Sequence, residues 1–520
     1  MRDRNIIFLY SIPLLLLLLF FSIKAIYFAY SDFASYYFGS QELLLGKYKE
    51  VYDTASLNLI IYSKGFQDLF VSYTPFPPFT SILFAPSTLL PIGISKLLVN
   101  SISCLLFAYT LGRSVNYFSI PPFYLVIVPL IFFAPIRSNL LFGQFYLLLF
   151  VLLMEGYIAY RKEQIILSSS LWALAIVFKI FPVLILFFLL IKKEYKNLIY
   201  ISVASAVLLG ISVLVNGFSA WQFYLLKIIP RLNNGELNDS YTYIFQSAFM
   251  LLKKGFVYNE VLNPNVICNN LYIFWILLAL FKAFIFGICV ISSLRKNSND
   301  FINFSFWIVA SLLISPNGST YSLILLILPM LALLSTENSL PQKISVLILL
   351  TLLCNIPILY FASFPLFLKF PRLYLMIGFF IAMIIITRIK MDFRIIASFV
   401  FIFLLMDSSR LIETEDRSTD FFTNNERALI YDYAIANDKL TAFYWNEKGP
   451  QQETIAYETK KYSSQDLILK DNQIYYKNIK MTDSPDWKKK PLLINNDYIL
   501  YLSDKNRGVG FYTLRKLKLS

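Results

Sequence analysis

Long apolar runs occupy the first 407 positions of the chain, interrupted by prolines and bounded by basic residues. The first run extends from Ile6 to Tyr30 and follows Arg2 and Arg4. It is too long for the apolar stretch of a signal peptide, and no small-residue cleavage site follows it. It therefore predicts an uncleaved membrane helix, with the N-terminus on the cytoplasmic side where basic residues collect.

A shorter apolar stretch at 76–91 carries four prolines, at 77, 78, 86 and 91. As a helix it would reach only about 24 Å at the usual rise per residue, whereas the hydrocarbon core of a bilayer is about 30 Å thick. This stretch predicts a re-entrant or interfacial segment. Treating it so also makes the later basic residues consistent with one topology, in which the loop 31–74 lies outside.

The remaining apolar runs bring the total to about 12 or 13 membrane segments, counted from hydropathy and basic loop residues. Two of them, 164–192 and 301–335, have the form of short hairpins that turn at 179–182 and 315–319. The other predicted segments are 93–112, 121–136 (ending in a turn at Arg137), 141–160, 198–216, 270–294, 342–358, 373–388 and 393–406. The sequence thus predicts an all-α polytopic membrane domain over 1–407.

Residues 408–520 have a different pattern, with short alternating stretches separated by Gly, Pro, Asn and Asp. A helix is predicted near 423–437, followed by strands in the stretches TAFYW, QIYYKNIKM, YILYL and GVGFYTLRKLKL. This segment is predicted to be a small extracytoplasmic α+β domain with an accessory role.

The composition supports this division. Apolar residues make up 57% of the chain and charged residues 15%, whereas soluble domains carry about 25% charge. The net charge of +14 is best explained by loop residues that set topology, because no basic face suitable for nucleic acid is evident. The four cysteines lie in or beside apolar runs, which excludes an ectodomain held by disulfides.

The chain contains no histidine. A Ser-His-Asp triad, a histidine-ligated metal and a histidine general base are therefore excluded. Acid–base chemistry must come from Asp, Glu, Lys, Tyr or Cys, and no metal site or other cofactor is predicted.

The loop 31–74 is the first candidate for such chemistry. It holds Asp32 directly after the first helix, with Glu42, Glu50 and Asp53 close behind, in a region where acids are otherwise sparse. It is also rich in tyrosine, which packs against sugars and membrane interfaces alike. Asp32 could be a solvated acid at a helix end, but its position beside the proline-broken segment favours a functional role, since non-helical backbone at that depth needs protein or a cavity around it.

Lys179 lies in the middle of an apolar run. A lysine within the bilayer core costs about 2.5–3.5 kcal/mol, so it needs a partner or must extend to the interface. One interpretation is that the lysine side chain extends to the interface, which is known as snorkelling. The other is that Lys179 provides a point charge for a lipid-linked phosphate. In the predicted topology Arg137, Gln144 and the segment 238–240, with Asn238 and Ser240, face the same side and are candidates to line one cavity.

The order of these motifs resembles a known family. The motifs are the acid after the first helix, Gly46, Tyr52-Asp53, Tyr73, Pro77-Pro78, Phe84-Ala-Pro86, Leu90-Pro91, Gly143-Gln144, Lys179-Ile-Phe-Pro182, Asn238-x-Ser240 and Ser315-Pro316. Together, over about 30–335, they resemble the polytopic GT-C glycosyltransferases, and specifically glycosyltransferase family 87, the DUF2029 group.

That resemblance implies an inverting enzyme that transfers a hexose, typically mannose, from a polyprenyl-phosphate carrier to a lipid or glycan of the cell envelope. The reaction would take place on the outer face of the plasma membrane, without a nucleotide sugar. Asp32 would be the general base, and Lys179, helped by Arg137, would stabilise the departing phosphate. Asp53, Gln144, Asn238 and Ser240 would bind substrate. The chain departs from the family after Pro316, and its C-terminal domain is not a general family feature.

The sequence is also compatible with three other functions. A lipid-glycan transporter or flippase would favour paired broken helices in two halves of the chain, but the acid-rich outer loop has no later counterpart. An O-antigen-type polymerase or ligase would be expected to use basic residues, commonly histidine, in a late outer loop. The third is a membrane scaffold without activity.

Overall fold

The structure is a computed structural model and describes residues 4–237, 240–295, 299–411, 418–422, 429–446, 449–457, 462–464, 466–505 and 507–519. The chain is mostly helical, with strands confined to its C-terminal part. The α-helices are α1 (Arg4–Ile26), α2 (Ser31–Leu44), α3 (Tyr48–Tyr52), α4 (Thr54–Ser63), α5 (Thr80–Phe84), α6 (Ile92–Tyr117), α7 (Tyr124–Ile131), α8 (Phe133–Phe142), α9 (Tyr146–Arg161), α10 (Ile165–Phe178), α11 (Ile185–Ile191), α12 (Tyr195–Asn216), α13 (Phe218–Phe223), α14 (Ile229–Asn233), α15 (Ala248–Phe256), α16 (Leu271–Leu294), α17 (Asp300–Ile314), α18 (Ile327–Leu334), α19 (Leu340–Asn355), α20 (Pro371–Ile386) and α21 (Phe393–Met406).

Within the described residues, four helices are long and apolar enough to cross a membrane: Asn5–Ile26, α6, α12 and α16. They agree with four of the predicted segments, and further apolar helices of 10–17 residues pack beside them. Several long apolar helices are the mark of a multi-pass membrane protein. The predicted number of segments and their orientation remain predictions.

The turn predicted at Arg137, after the segment 121–136, is wrong. The chain there forms α7 and α8, which are bent by 64° relative to each other. Pro135 has no N–H to donate to the carbonyl of Ile131, so the helix cannot continue straight through this point. The chain then runs helically past Arg137 and turns at Gly143, which has φ +70°.

The breaks predicted within the two hairpins are confirmed. Helix α10 ends at Phe178, and a 3₁₀ turn over Phe181–Leu184 leads into α11. Likewise α17 ends at Ile314, and a 3₁₀ turn over Thr320–Leu326 leads into α18. The proline-rich stretch 76–91 is also broken, with only α5 and a 3₁₀ turn at Ser87–Leu89.

The C-terminal domain is built from antiparallel strands. They are β1 (Ser418–Asp420), β2 (Leu429–Ala436), β3 (Lys439–Asn446), β4 (Gly449–Ala456), β5 (Tyr462–Ser463), β6 (Leu467–Lys470), β7 (Gln473–Tyr476), β8 (Ile479–Lys480), β9 (Lys488–Ile494), β10 (Tyr498–Ser503) and β11 (Thr513–Lys518). A five-stranded sheet has the order β1-β11-β10-β9-β5, and the others form three-stranded sheets β2-β3-β4 and β6-β7-β8.

The predicted helix near 423–437 is wrong over the part that the structure describes, which begins at residue 429. Residues 429–436 form β2, paired with β3 from Leu429 opposite Trp445 to Ala436 opposite Lys439. Residues 423–428 lie outside the described residues. The stretch contains Ile and Tyr, which favour a half-buried strand, and cross-strand pairing decides its structure. The predicted strands TAFYW and YILYL are confirmed, and the last predicted strand begins only at Thr513. The stretch QIYYKNIKM is not one strand, because it turns at Lys477 and Asn478 and forms the antiparallel pair β7 and β8.

This β domain packs against the segment 31–74. Phe70 contacts Phe511 with ring centroids 5.5 Å apart, and Tyr62 contacts Trp445 at 5.7 Å. Buried residues of α2–α5, α13 and the β domain form one continuous hydrophobic core, separate from the core of the helical bundle. The loop that carries Asp32 is thus held between the bundle and the β domain.

Candidate active site

Helix α2 brings Asp32 and Tyr36 onto one face, because residues four apart lie above each other on a helix. Asp32 lies in its first turn, where the helix dipole favours a negative charge, and its side chain is partly exposed. Tyr36 is fully buried. The face they share is directed toward the ends of α8 and α10.

Gln144 reaches this face because α8 ends at Gly143. That glycine has φ +70°, and a Cβ atom on it would lie 2.5 Å from the Cβ of Phe33 on α2. Only glycine tolerates both the left-handed conformation and this close approach. Gln144, the next residue, donates from Nε2 to Oδ2 of Asp32 at 2.8 Å and accepts from the hydroxyl of Tyr36 at 2.9 Å.

Lys179 completes the arrangement from the break after α10. Its Nζ donates to the hydroxyl of Tyr36 at 2.9 Å. The ammonium also lies 4.8 Å from the ring centroid of Phe76 and 5.1 Å from that of Tyr146, positions that favour a cation. Lys179, Tyr36, Gln144 and Asp32 therefore form one hydrogen-bonded row, which we call the polar row.

Two members of the polar row, Gln144 and Lys179, border a cavity of about 730 Å³, and Asp32 lies one hydrogen bond behind Gln144. Gln144, Lys179 and Tyr146 line it on one side. The other walls come from α14 and the residues after it, from the turn after α17, from Lys282 in the middle of α16 and from the end of α21. Most of the lining is apolar, with polar groups at a few points, as in sites for small molecules and lipids.

The pKa of the Asp32 carboxyl lies above its ordinary value. Burial is the main cause, since desolvation disfavours the charged form. The hydrogen bond from Gln144 and the charges of Lys179 and Lys96 oppose this rise. A raised pKa makes the carboxylate a stronger base, which suits proton abstraction.

Two residues of this site were missed by the sequence interpretation. Tyr36 links Lys179 to Gln144, and its four-residue spacing from Asp32 was the available signal. Lys96 is buried on α6 and donates to the carbonyl oxygens of Leu141 at 2.7 Å and Ala29 at 3.2 Å. The same cost that marked Lys179 within an apolar run could have marked Lys96.

The structure does not place every predicted site residue at the cavity. Arg137 is exposed and is not among the residues that line it. On α8 it shares the exposed face with Phe133, four residues earlier, while Asn139 and Leu140 face inward. Arg137 is thus separated from Lys179, contrary to the prediction.

Asp53 is engaged elsewhere. One carboxylate oxygen caps α4 by accepting from the backbone N–H of Ser56 at 2.9 Å. The other accepts from the hydroxyl of Tyr512 and pairs with Lys489 Nζ at 2.8 Å. These contacts join Asp53 to the β domain, away from the cavity, so they do not support its predicted role in sugar binding.

Ser240 is fully buried, and its Oγ has no hydrogen-bond partner within the described residues. It is not among the residues that line the cavity. Asn238 lies outside the described residues. The polar positions nearby that do reach the cavity are Asn233 and Asn234, at the end of α14.

Over the described part of the chain, no group of three or more Cys, Asp and Glu side chains is arranged to hold a metal ion. The expectation of a reaction without a metal or other cofactor stays a prediction.

Comparison with known proteins identifies the segment that holds most of this site. The family model of glycosyltransferase family 87 matches residues 73–316, which include Gln144, Lys179 and most of the cavity lining. This confirms the resemblance drawn from the sequence motifs and indicates a glycosyltransferase. No curated protein and no solved structure matches the chain. Asp32, Tyr36 and the β domain lie outside the matched segment.

Proposed function

We propose that this chain, whose residues 73–316 match glycosyltransferase family 87, transfers a hexose from a polyprenyl-phosphate carrier to a lipid or glycan of the cell envelope. The sugar is mannose, and transfer occurs with inversion on the extracytoplasmic face of the plasma membrane. The observation that carries the proposal is the polar row, which joins a carboxylate to an ammonium group beside a large, mostly apolar cavity.

Asp32 is the general base in this proposal. Its carboxylate takes the proton from an acceptor hydroxyl while that oxygen attacks C1 of the sugar. The bond from C1 to the phosphate oxygen breaks, and its electron pair stays on the phosphate. Attack from the face opposite the leaving group inverts the anomeric centre. Gln144 fixes the orientation of the carboxylate by its 2.8 Å hydrogen bond.

Lys179 binds the phosphate of the donor. Its ammonium lies at the cavity wall, with aromatic rings around it and a tyrosine hydroxyl as its hydrogen-bond acceptor. A cation held in such a water-poor site stabilises charge that develops on a leaving group more than the same cation would in water. The apolar walls accommodate the first isoprenoid units, and Asn233 and Asn234 are placed to contact sugar hydroxyls.

The test is direct transfer by purified protein. It is incubated in detergent with polyprenyl-phosphate mannose and extracted envelope lipids, and products are identified by mass spectrometry. Polyprenyl-phosphate glucose tests the sugar, and GDP-mannose tests the donor class. We expect transfer from the lipid-linked mannose alone, with an inverted linkage by NMR. Transfer from GDP-mannose, or retention of configuration, would overturn the mechanism.

The orientation is tested separately by reporter fusions in cells. Fusions after Arg113 and Lys193 should report the cytoplasm, and fusions after Tyr73 and Ser408 the outside, as expected from the basic residues at the loop ends. A cytoplasmic signal after Tyr73 would place Asp32 on the wrong side of the membrane for an extracytoplasmic reaction.

A further inference from the structure

One wall of the cavity is tied to the β domain by a buried ion pair. Helix α14 lines the cavity through Ile229, Pro230, Leu232 and Asn233. Arg231, between them, faces the other way, and its Nη1 lies 2.6 Å from Oδ2 of Asp504 in the turn after β10. Both side chains are almost fully buried, with 5% and 0% of their surfaces exposed.

Asp504 is itself fixed by the β domain. Its Oδ1 accepts from the backbone N–H of Trp487 at 2.7 Å, and its Oδ2 from that of Gly510 at 2.7 Å. Arg231 has a second carboxylate, Glu236, at 2.7 Å from its Nε. The guanidinium is thus bound on both sides, and α14 cannot shift without breaking charge-assisted hydrogen bonds.

The same turn of the β domain also contacts the loop that carries Asp32. The backbone carbonyl of Val509 accepts from Oγ1 of Thr54 at 2.7 Å. The next residue, Gly510, packs so closely that a Cβ atom on it would lie 2.3 Å from the backbone nitrogen of Thr54. Asp504 therefore contacts the cavity wall, and Val509 and Gly510 contact the segment 31–74.

We infer that the β domain acts as a clamp that sets the position of α14 against the outer loop, and that the Arg231–Asp504 pair makes Asp504 a positioning residue for donor binding. This inference rests on the proposed function. It assigns the β domain a task, whereas the sequence predicted only an accessory domain. Asp504 does not border the cavity, so it acts through Arg231 and the helix that carries it.

The alternative is that the pair merely helps the β domain to stay folded. Buried ion pairs are weak evidence for stability, because desolvation offsets most of their attraction. Removing one partner, however, leaves an uncompensated charge that perturbs its surroundings. A test must therefore separate the loss of the connection from the effect of a stranded charge.

The experiment uses the full-length chain with the substitutions Asp504→Asn, Arg231→Gln and both together. The double variant removes both charges of this pair. Because Arg231 also pairs with Glu236, Glu236→Gln is included in the double variant so that no partner charge is left behind. Two quantities are measured: hydrogen–deuterium exchange of the backbone amides in 229–237, and KM and kcat for polyprenyl-phosphate mannose. Asp483→Asn serves as the matched control, since Asp483 lies in the same domain and is 72% exposed.

We expect exchange in 229–237 to rise at least fivefold in all three variants, and the donor KM to rise about tenfold while kcat changes less than threefold. The control should behave as the parent protein in both measurements. Unchanged exchange in the double variant would overturn the clamp, and so would restoration of the parent KM in that variant, because the effect would then come from a stranded charge.

The exchange measurement needs no substrate. If the parent protein transfers no sugar, the proposed function fails while the exchange data still decide whether the β domain holds α14. If Asp504→Asn does not fold, Arg231→Gln probes the same connection from the cavity side and leaves the bonds from Trp487 and Gly510 to Asp504 intact.

Discussion

Asp32 and Asp53 belong to the same segment, 31–74, but lie in different environments. Asp53 is buried, caps α4, pairs with Lys489 and accepts from Tyr512. Asp32 is partly exposed, and the hydrogen bond that the described residues give it comes from the neutral amide of Gln144, which lines the cavity. The first carboxylate joins two parts of the fold, whereas the second keeps capacity to accept a proton.

In a chain that has no histidine, this difference separates the acid that attaches the β domain from the acid that is proposed to accept a proton. Desolvation raises the pKa of the Asp32 carboxyl, which makes its carboxylate a stronger base. Asp53 attaches the segment 31–74 to the β domain through Lys489 and Tyr512, whereas the proposed mechanism uses Asp32 as the base.

The sharpest test of this contrast is the same substitution at both positions. Asp32→Asn keeps the size and polarity of the side chain but removes the base, so turnover should fall at least about a hundredfold, within the usual 10²–10⁴-fold contribution of a general base. The variant should insert and bind donor lipid as the parent does. Turnover within a few-fold of the parent would point to another acid.

Asp53→Asn should do the reverse. The loss of the charge-assisted bonds to Lys489 and Tyr512 should lower the free energy of unfolding by on the order of 1.5–3 kcal/mol. Unfolding in denaturant is measured by tryptophan fluorescence, to which Trp445 and Trp487 in the β domain contribute. The turnover of the folded fraction should change less than tenfold. A loss of activity equal to that of Asp32→Asn, without loss of stability, would remove the distinction between the two acids.

Lys179→Met tests the cationic end of the polar row. We expect the donor KM to rise by on the order of 10- to 100-fold, the loss of one charge-assisted contact of about 1.5–3 kcal/mol. Insertion should be unaffected, because the substitution removes a charge from an apolar setting. Lys64→Met is the control, since Lys64 pairs with Glu42 outside the cavity. Unchanged donor kinetics in Lys179→Met would exclude its contact with the phosphate.

Tyr36→Phe should have a smaller effect. It removes the hydroxyl that connects Lys179 to Gln144, so we expect kcat to fall about tenfold, as for one lost hydrogen bond to a charged group. The matched control is Tyr37→Phe, whose hydroxyl instead donates to the carbonyl of Leu90 at 2.8 Å. Equal losses in both variants would mean that the effect comes from packing of α2.

The smallest effect concerns the pH profile. Asp32 must be deprotonated to act as a base, so kcat/KM should fall as the pH drops through its raised pKa. The hydrogen bond from Gln144 lowers that pKa, and Gln144→Leu should therefore move this acid limb to higher pH. Rates at high pH should change less than rates at low pH. A shift toward lower pH would contradict the assignment of the limb to Asp32.

The sequence indicated three members of the polar row but not their connections. Lys179 was marked by the cost of a charge in an apolar run, Asp32 by its position after the first helix beside the proline-broken segment, and Gln144 by the predicted topology. Tyr36 was not identified because tyrosine is common in this chain, and burying a tyrosine does not carry the energetic cost of burying a charge. Arg137 was misplaced because a hydropathy profile does not reveal on which side of α8 a residue lies.

The β domain was the least predictable part. Residues 429–436 have no strong periodicity, and only pairing with β3 makes them a strand. The contacts of Asp53 with Lys489 and of Arg231 with Asp504 join residues hundreds of positions apart. No local pattern of charge or hydropathy reveals such partners, so Asp53 was interpreted from its immediate neighbours alone and Asp504 was given no role.

The distance along the chain between Thr54 and Val509 also determines when the site can be completed. The two residues are separated by 455 positions, and at a synthesis rate of about 5–20 residues per second the second follows the first by roughly 20–90 s. During that interval the loop with Asp32 has no β domain against it, and Arg231 on α14 can pair with Glu236 but not yet with Asp504. A nascent or truncated chain would thus hold every residue of the polar row while its cavity wall is still unfixed.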